Sequence, residues 1–191
     1  METKRKQVKQ KIIATLVVIF MFGMIFGSVS LRDVQAIGAN TTLSAIISAG
    51  SLSLEAPASA SYGAITLNGV QQNTTANLVE VNMRDTRGSG AGWTAVGSAN
   101  NMYKDATNNI SNIYVSWAPG TIFALDGASN TGVTAGTAYS GNFGDGTKTL
   151  ATSTTNNGMG NYVINGTIMN LTVKTGVLAG TYVNTLLLTI S

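Results

Sequence analysis

The chain has 191 residues, with 11 Lys plus Arg against 8 Asp plus Glu, and neither His nor Cys. The absence of those two residue types excludes the usual zinc, haem, iron–sulfur and blue-copper sites, Ser-His-Asp and Cys-His catalysis, and any disulfide. Lys4, Arg5, Lys6, Lys9, Lys11 and Arg32 precede Ile37, which leaves five basic and six acidic residues after it. That near-neutral body lacks the clustered cationic surface of a nucleic-acid binder.

In chain order, a Lys-rich start leads into the uncharged stretch Ile12 to Leu31, and Val34-Gln35-Ala36 offers small residues at positions −3 and −1 of a cleavage site. This order predicts an N-terminal signal-peptide helix over residues 1–36, cut after Ala36. The competing reading is an uncleaved anchor, since 20 uncharged residues can cross a hydrocarbon core of about 30 Å. Either way the basic end stays in the cytoplasm and the remainder is exported.

The 155 residues from Ile37 are rich in Gly, Thr, Asn, Ser and Ala. Short apolar runs recur between turn signals, which predicts a single all-β domain over 37–191, a β-sandwich or flattened barrel. Leu43 to Ile47 precedes a turn at Gly50, and Leu52 to Leu54 follows it. Tyr62 to Leu67 ends at Asn68-Gly69, a hairpin turn pair. Leu78 to Arg84 alternates, with Val79, Val81 and Met83 on one face. Asn112 to Ala118 reads as a strand stopped by Pro119-Gly120. Residues 126–161 have few apolar anchors and predict long loops or a poorly packed hairpin. Leu171 to Lys174 and Tyr182 to Ile190 close the domain, the latter with Tyr182, Leu186, Leu188 and Ile190 on one face. No stretch holds a 3.6-residue apolar period over three turns, so no helix is expected there. No repeat of 20–50 residues is evident.

The most informative stretch is Asp85-Thr86-Arg87-Gly88-Ser89-Gly90-Ala91-Gly92-Trp93. Its three spaced glycines allow a tight irregular crossing. Asp85 and Arg87 can pair across it, and Trp93 opens the next strand. The bland reading is a polar corner with a core Trp. This run resembles the WxL domain of Gram-positive surface proteins, and the resemblance extends across the mature chain. Leu52-Ser53-Leu54 with Ala56-Pro57, Tyr62-Gly63 and Thr66-Leu67-Asn68-Gly69 is similar to the family's opening, and Tyr182-Val183-Asn184-Thr185-Leu186 to its C-terminal motif. The family's W-x-L tripeptide would place Leu where this chain has Ala95. Its distal Thr and second Trp are here Leu187 and Leu188. The resemblance implies a secreted cell-surface module that associates non-covalently with the cell wall, with peptidoglycan or other surface proteins as partners. It implies Asp85, Arg87, Trp93, Tyr182 and Leu188 as ligand-binding candidates.

The remaining chemistry is sparse. Glu55, Glu80, Asp85, Asp105, Asp126 and Asp145 are scattered, with no local two-carboxylate motif for glycoside hydrolysis. Asp126 to Asn130 lacks the Glu that closes a calcium loop, and Gly144-Asp145-Gly146 reads as a turn. No Ser-x-x-Lys pair and no phosphate loop occurs after the leader. The expectation is no enzyme activity, no metal and no cofactor, with membrane contact only through an uncut leader. The end at Leu186 to Ser191 carries no sortase signal, so retention is expected to be non-covalent. Low charge and an apolar last strand also suit a second role, as a structural subunit of a surface layer, fibre or multiprotein coat.

Overall fold

The computed structural model describes residues 5–14 and 41–191. Residues 5–14 are helical. The apolar stretch expected to form the leader and its cleavage site at Ala36 lie, apart from residues 12–14, outside the described residues. No helix among the described residues is long and apolar enough to cross a membrane. The chain divides into two units, residues 1–45 and 46–191, and among the described residues the second carries every strand.

That unit is all-β and antiparallel. One five-stranded sheet joins β1 (Leu52–Glu55), β2 (Gln72–Asp85), β10 (Gly160–Val173) and β6 (Val115–Ala118) in that order, and β7 (Thr121–Leu125) also pairs β10. A four-stranded sheet has the order β11 (Leu186–Ile190), β3 (Trp93–Ala99), β9 (Lys148–Ser153) and β8 (Val133–Ala135). A short ribbon pairs β4 (Met102–Tyr103) with β5 (Asn109–Ile110). None of these sheets closes on itself, so the flattened-barrel alternative is not the observed form. Both larger sheets feed one core: Val81, Met83, Tyr162 and Ile164 come from the first, Ala95, Leu150 and Ala151 from the second.

Strand β3 shows how the sequence shapes this core. Its inward positions after Trp93 are Ala95, Gly97 and Ala99, all small and buried. The space they leave is filled by Trp117 of β6, which stands over Gly97 and meets Phe143 edge-on at 5.2 Å between ring centroids. A side chain at 97 would collide with that indole, since its Cβ would lie 2.5 Å from Trp117 Cη2.

A crease crosses the five-stranded sheet. In β2 the inward residues are Val81, Met83 and Asp85 on one side of Val79-Glu80, and Ala76 and Leu78 on the other. In β10 they are Tyr162 and Ile164, then Thr167, Met169, Leu171 and Val173. The β6–β7 segment changes phase in the same way, from Val115 and Trp117 to Ile122 and Ala124. Glu80 pairs with Asn165, and Asn165 with Thr121, so the three slips lie side by side. Gly166, at φ +76°, makes the slip in β10, and Gly120 donates from its backbone to Thr167 Oγ1 at 3.0 Å.

The crease corrects one expectation directly. Val79 does not share a face with Val81 and Met83, and is 59% exposed, because period 2 fails where the strand changes phase. Other corrections concern element identity. Residues 41–50 are exposed and form no strand, and Gly50 is not a turn: its N–H donates to Thr86 O at 2.8 Å and extends the β1–β2 ladder. Tyr62 to Leu67 forms no strand, yet Asn68-Gly69 does stand at the reversal between the antiparallel β1 and β2, with Gly69 at φ +83°. Gly63 N to Thr75 O is the backbone bond of residues 62–67 to β2. Residues 112–114 are a 3₁₀ turn capped by Ser111, and the strand begins at Val115. The last strand begins at Leu186, and Tyr182 lies outside it. Strand β7, immediately after the expected stop at Pro119-Gly120, was not anticipated, nor was the first part of β10. Residues 126–161 are well packed, not loosely so: they supply β8 and β9, with Val133, Phe143, Leu150 and Ala151 buried.

Candidate functional site

The Asp85–Trp93 stretch connects the end of β2 in one sheet to the start of β3 in the other. Asp85 is 2% exposed and faces the core side of its sheet. Its Oδ1 accepts from the Arg87 backbone N–H and from Arg87 Nε, each at 3.0 Å, and Oδ2 accepts from Arg87 Nη2 at 2.9 Å. Arg87 Nη2 also donates to Gly92 O at 2.7 Å, which pulls the far end of the turn back to its beginning. The glycines fit this winding: Gly88, Gly90 and Gly92 all have positive φ. A Cβ on Gly92 would lie 2.6 Å from Ser153 O.

Trp93 completes the clasp from the other side. It is 3% exposed, and its Nε1 donates to Gly158 O at 2.9 Å. Its ring lies 5.8 Å from that of Tyr162, whose hydroxyl donates to Ser129 O at 2.9 Å. Asn156 N donates to Gly90 O at 2.7 Å, so the β9–β10 connection is tied to the same corner. The side-chain hydrogen bonds from Arg87 hold the Asp85 carboxyl below the usual aspartate range, against the opposing effect of burial. Burial, helped by the Asp85 charge, raises the Tyr162 phenol above its ordinary value. Asp85, Arg87 and Trp93 are thus brought together, with donors and acceptors used internally and the indole face packed inside.

Tyr182 and Leu188 belong to a different place. They line an uncharged groove of about 1020 Å³ whose floor includes Ala76, Leu78, Met169 and Leu171. Its walls are the irregular segments 56–67 and 177–185, and no lining residue is charged. Tyr182 braces one wall by donating from its hydroxyl to Leu178 O at 3.0 Å. On the other wall, burial pushes the Tyr62 phenol up to about 12. Residues 56–67 and 177–185 therefore face each other across this groove, away from the corner.

A third feature lies on the outer face of the five-stranded sheet. Phe123 is 48% exposed and stands opposite Val163, which stands opposite Asn82. The neighbouring rows are Thr121, Asn165 and Glu80 on one side, and Leu125, Asn161 and Arg84 on the other. A ring is thus set among carboxamides on the outer face of the sheet, beside the crease. Sequence reasoning missed both groove and ring. The groove walls lack any periodic pattern, and Thr121 to Leu125 is apolar on both faces, so alternation could not single out its outward aromatic. Among the described residues no group of acids is arranged to hold a metal ion. Asp105 is engaged locally by Asn108 and Thr107, whose hydrogen bonds, led by the Asn108 side chain, lower its pKa. Asp126 accepts from Asn161 and Asp145 faces Lys148 at 3.9 Å. Comparison with known family models, curated proteins and solved structures returns no match.

Proposed function

We propose that this chain is an exported, non-enzymatic surface module of the WxL type, with a sandwich-like β-domain that associates non-covalently with cell-wall peptidoglycan. The observation that carries this reading is the outer-face row of Phe123, Val163 and Asn82, bordered by Asn165, Asn161 and Thr121. An exposed ring offers an apolar platform to the C–H face of a sugar, and flanking carboxamides supply donors and acceptors to its hydroxyls. The near-neutral domain suits contact by stacking and hydrogen bonding in preference to ion pairing. In this reading the Asp85–Arg87–Trp93 corner serves the module by joining its sheets, and wall contact falls to the open face.

The test is co-sedimentation of the full chain with isolated cell walls, comparing wild type with Phe123→Ala. The wild type should pellet with the walls and the variant should remain largely in solution while still folded, its melting temperature lowered by only about 2–4 °C for the loss of about 1 kcal/mol from a half-exposed strand aromatic. Wild-type protein that stays in the supernatant, or a variant that pellets equally, would overturn the proposal.

A further inference from the structure

The outer face of the five-stranded sheet changes character from one side to the other. Its β7 side is apolar, with Phe123 48% and Leu125 40% exposed. Its β2–β1 side is charged. Glu80 and Arg84 point outward on either side of Asn82, and Glu55 of β1 stands opposite Asn82. All three charged residues are exposed. Along the central row the order from β7 to β1 is ring, valine, carboxamide and carboxylate, over three strand spacings or about 14 Å.

These charges are not spent within the domain. The ion pairs among the described residues are Arg87–Asp85 and Lys148–Asp145, and no hydrogen bond engages the side chains of Glu55, Glu80 or Arg84. Glu80 and Arg84 are four residues apart on one strand, about 13 Å. That exceeds the screening length of about 8 Å at physiological salt, so they do not neutralise each other. Glu55 lies diagonally from both, at about 7–8 Å. The face therefore keeps an acidic end at Glu80 and Glu55 and a basic end at Arg84, both beside an apolar strip.

A bare sugar chain uses only part of this surface. Its rings can stack on Phe123, but it carries nothing of opposite sign for the charges about 10–14 Å away. A short peptide branching from the sugar does. Three extended residues reach about 10 Å, enough to cross β10 from Phe123 to β2. Such a peptide with a free amine and a free carboxylate matches both ends of the charged side.

Resting on the wall-binding reading above, we infer that this face recognises peptide-bearing glycan. The sugar sits on Phe123, a peptide amine meets Glu80 and Glu55, and a peptide carboxylate meets Arg84. Stacking holds the chain. The charges discriminate peptide-bearing from bare chains, because exposed ion pairs add more to specificity than to affinity.

The test is co-sedimentation of the full chain with purified insoluble peptidoglycan, freed of secondary polymers, in four forms: intact, amine-acetylated, carboxyl-amidated, and stripped of peptide by an amidase. Wild type should bind the intact form best, each blocked form about two- to fivefold more weakly, and the stripped form most weakly. Glu55→Gln/Glu80→Gln should bind intact material as wild type binds the acetylated form. It should be indifferent to acetylation and still respond to carboxyl blocking. Arg84→Gln should show the converse. All three positions are exposed, so melting temperatures should stay within about 2 °C of wild type. Wild type that binds all four forms equally would overturn this inference and leave the wall-binding reading standing, whereas wild type that binds none would overturn both. A variant weakened by the same factor on intact and on blocked material would also overturn it, since its charge would then meet no blocked group.

Discussion

Replacing Trp93 separates a clasp from a binding surface. The indole is buried, bonds Gly158 O through Nε1 and packs against Tyr162. Trp93→Ala removes the ring, its hydrogen bond and its aromatic partner together, and such truncations cost about 3–5 kcal/mol. Trp93→Phe keeps most of the apolar contact but leaves the Gly158 carbonyl without its donor, a loss of about 1–3 kcal/mol. For a domain of this size each kcal/mol moves the melting temperature by about 2–4 °C. The alanine variant should therefore melt about 6–20 °C below wild type, with phenylalanine between them. Differential scanning calorimetry of the full chain measures the shift. Below the lowered transition, both variants that remain folded should still pellet with cell walls. A Trp93→Ala protein that melts like wild type yet no longer binds walls would refute the clasp and make the indole a ligand contact.

Three further predictions test the fold around the site. The Asp85 pKa is depressed in the folded state by the Arg87 hydrogen bonds, so its contribution is complete above the unfolded value of about 3.9 and is lost as pH falls through the lower folded value. Thermal melts should therefore fall on acidification across that window, and less steeply in Asp85→Asn; equal slopes would contradict the assignment. Gly166→Ala places a Cβ in open space at φ +76°, so its cost is backbone strain alone, about 1–2 kcal/mol in chemical denaturation. A neutral result would mean that the crease does not require that conformation. Gly97→Ala drives a methyl into the Trp117 ring and should cost about 1–3 kcal/mol through overpacking, readable by denaturation and by a change in Trp fluorescence.

Much of the local structure was legible because it depends on near neighbours. Asp85 and Arg87 are two residues apart, and their pairing follows from spacing and charge. Trp93 opens a strand after a glycine-rich crossing, as its surroundings predict. The all-β character follows from Thr and Val abundance, turn residues and the lack of helical periodicity. The strands that escaped notice have specific reasons. Asn165-Gly166 in β10 looks like a turn, yet Gly166 is a phase slip within one 14-residue strand. Lys148 to Ser153 is mostly polar, and becomes a central strand only because β3 and β8 flank it.

The sequence by itself determined the chemistry available: no thiol or imidazole, a near-neutral body, a basic apolar start, a β-forming composition and a paired corner. These depend on residue type and short-range spacing, which the linear order preserves. Only the tertiary structure decided which strands adjoin, where three of them change phase together, and which side chains turn outward. It separated Tyr182 and Leu188 from the corner, buried Trp93, exposed Phe123 and brought residues 56–67 to face 177–185. Those outcomes arise from long-range pairing, where each strand's partner sets its register and a one-residue slip exchanges inside for outside.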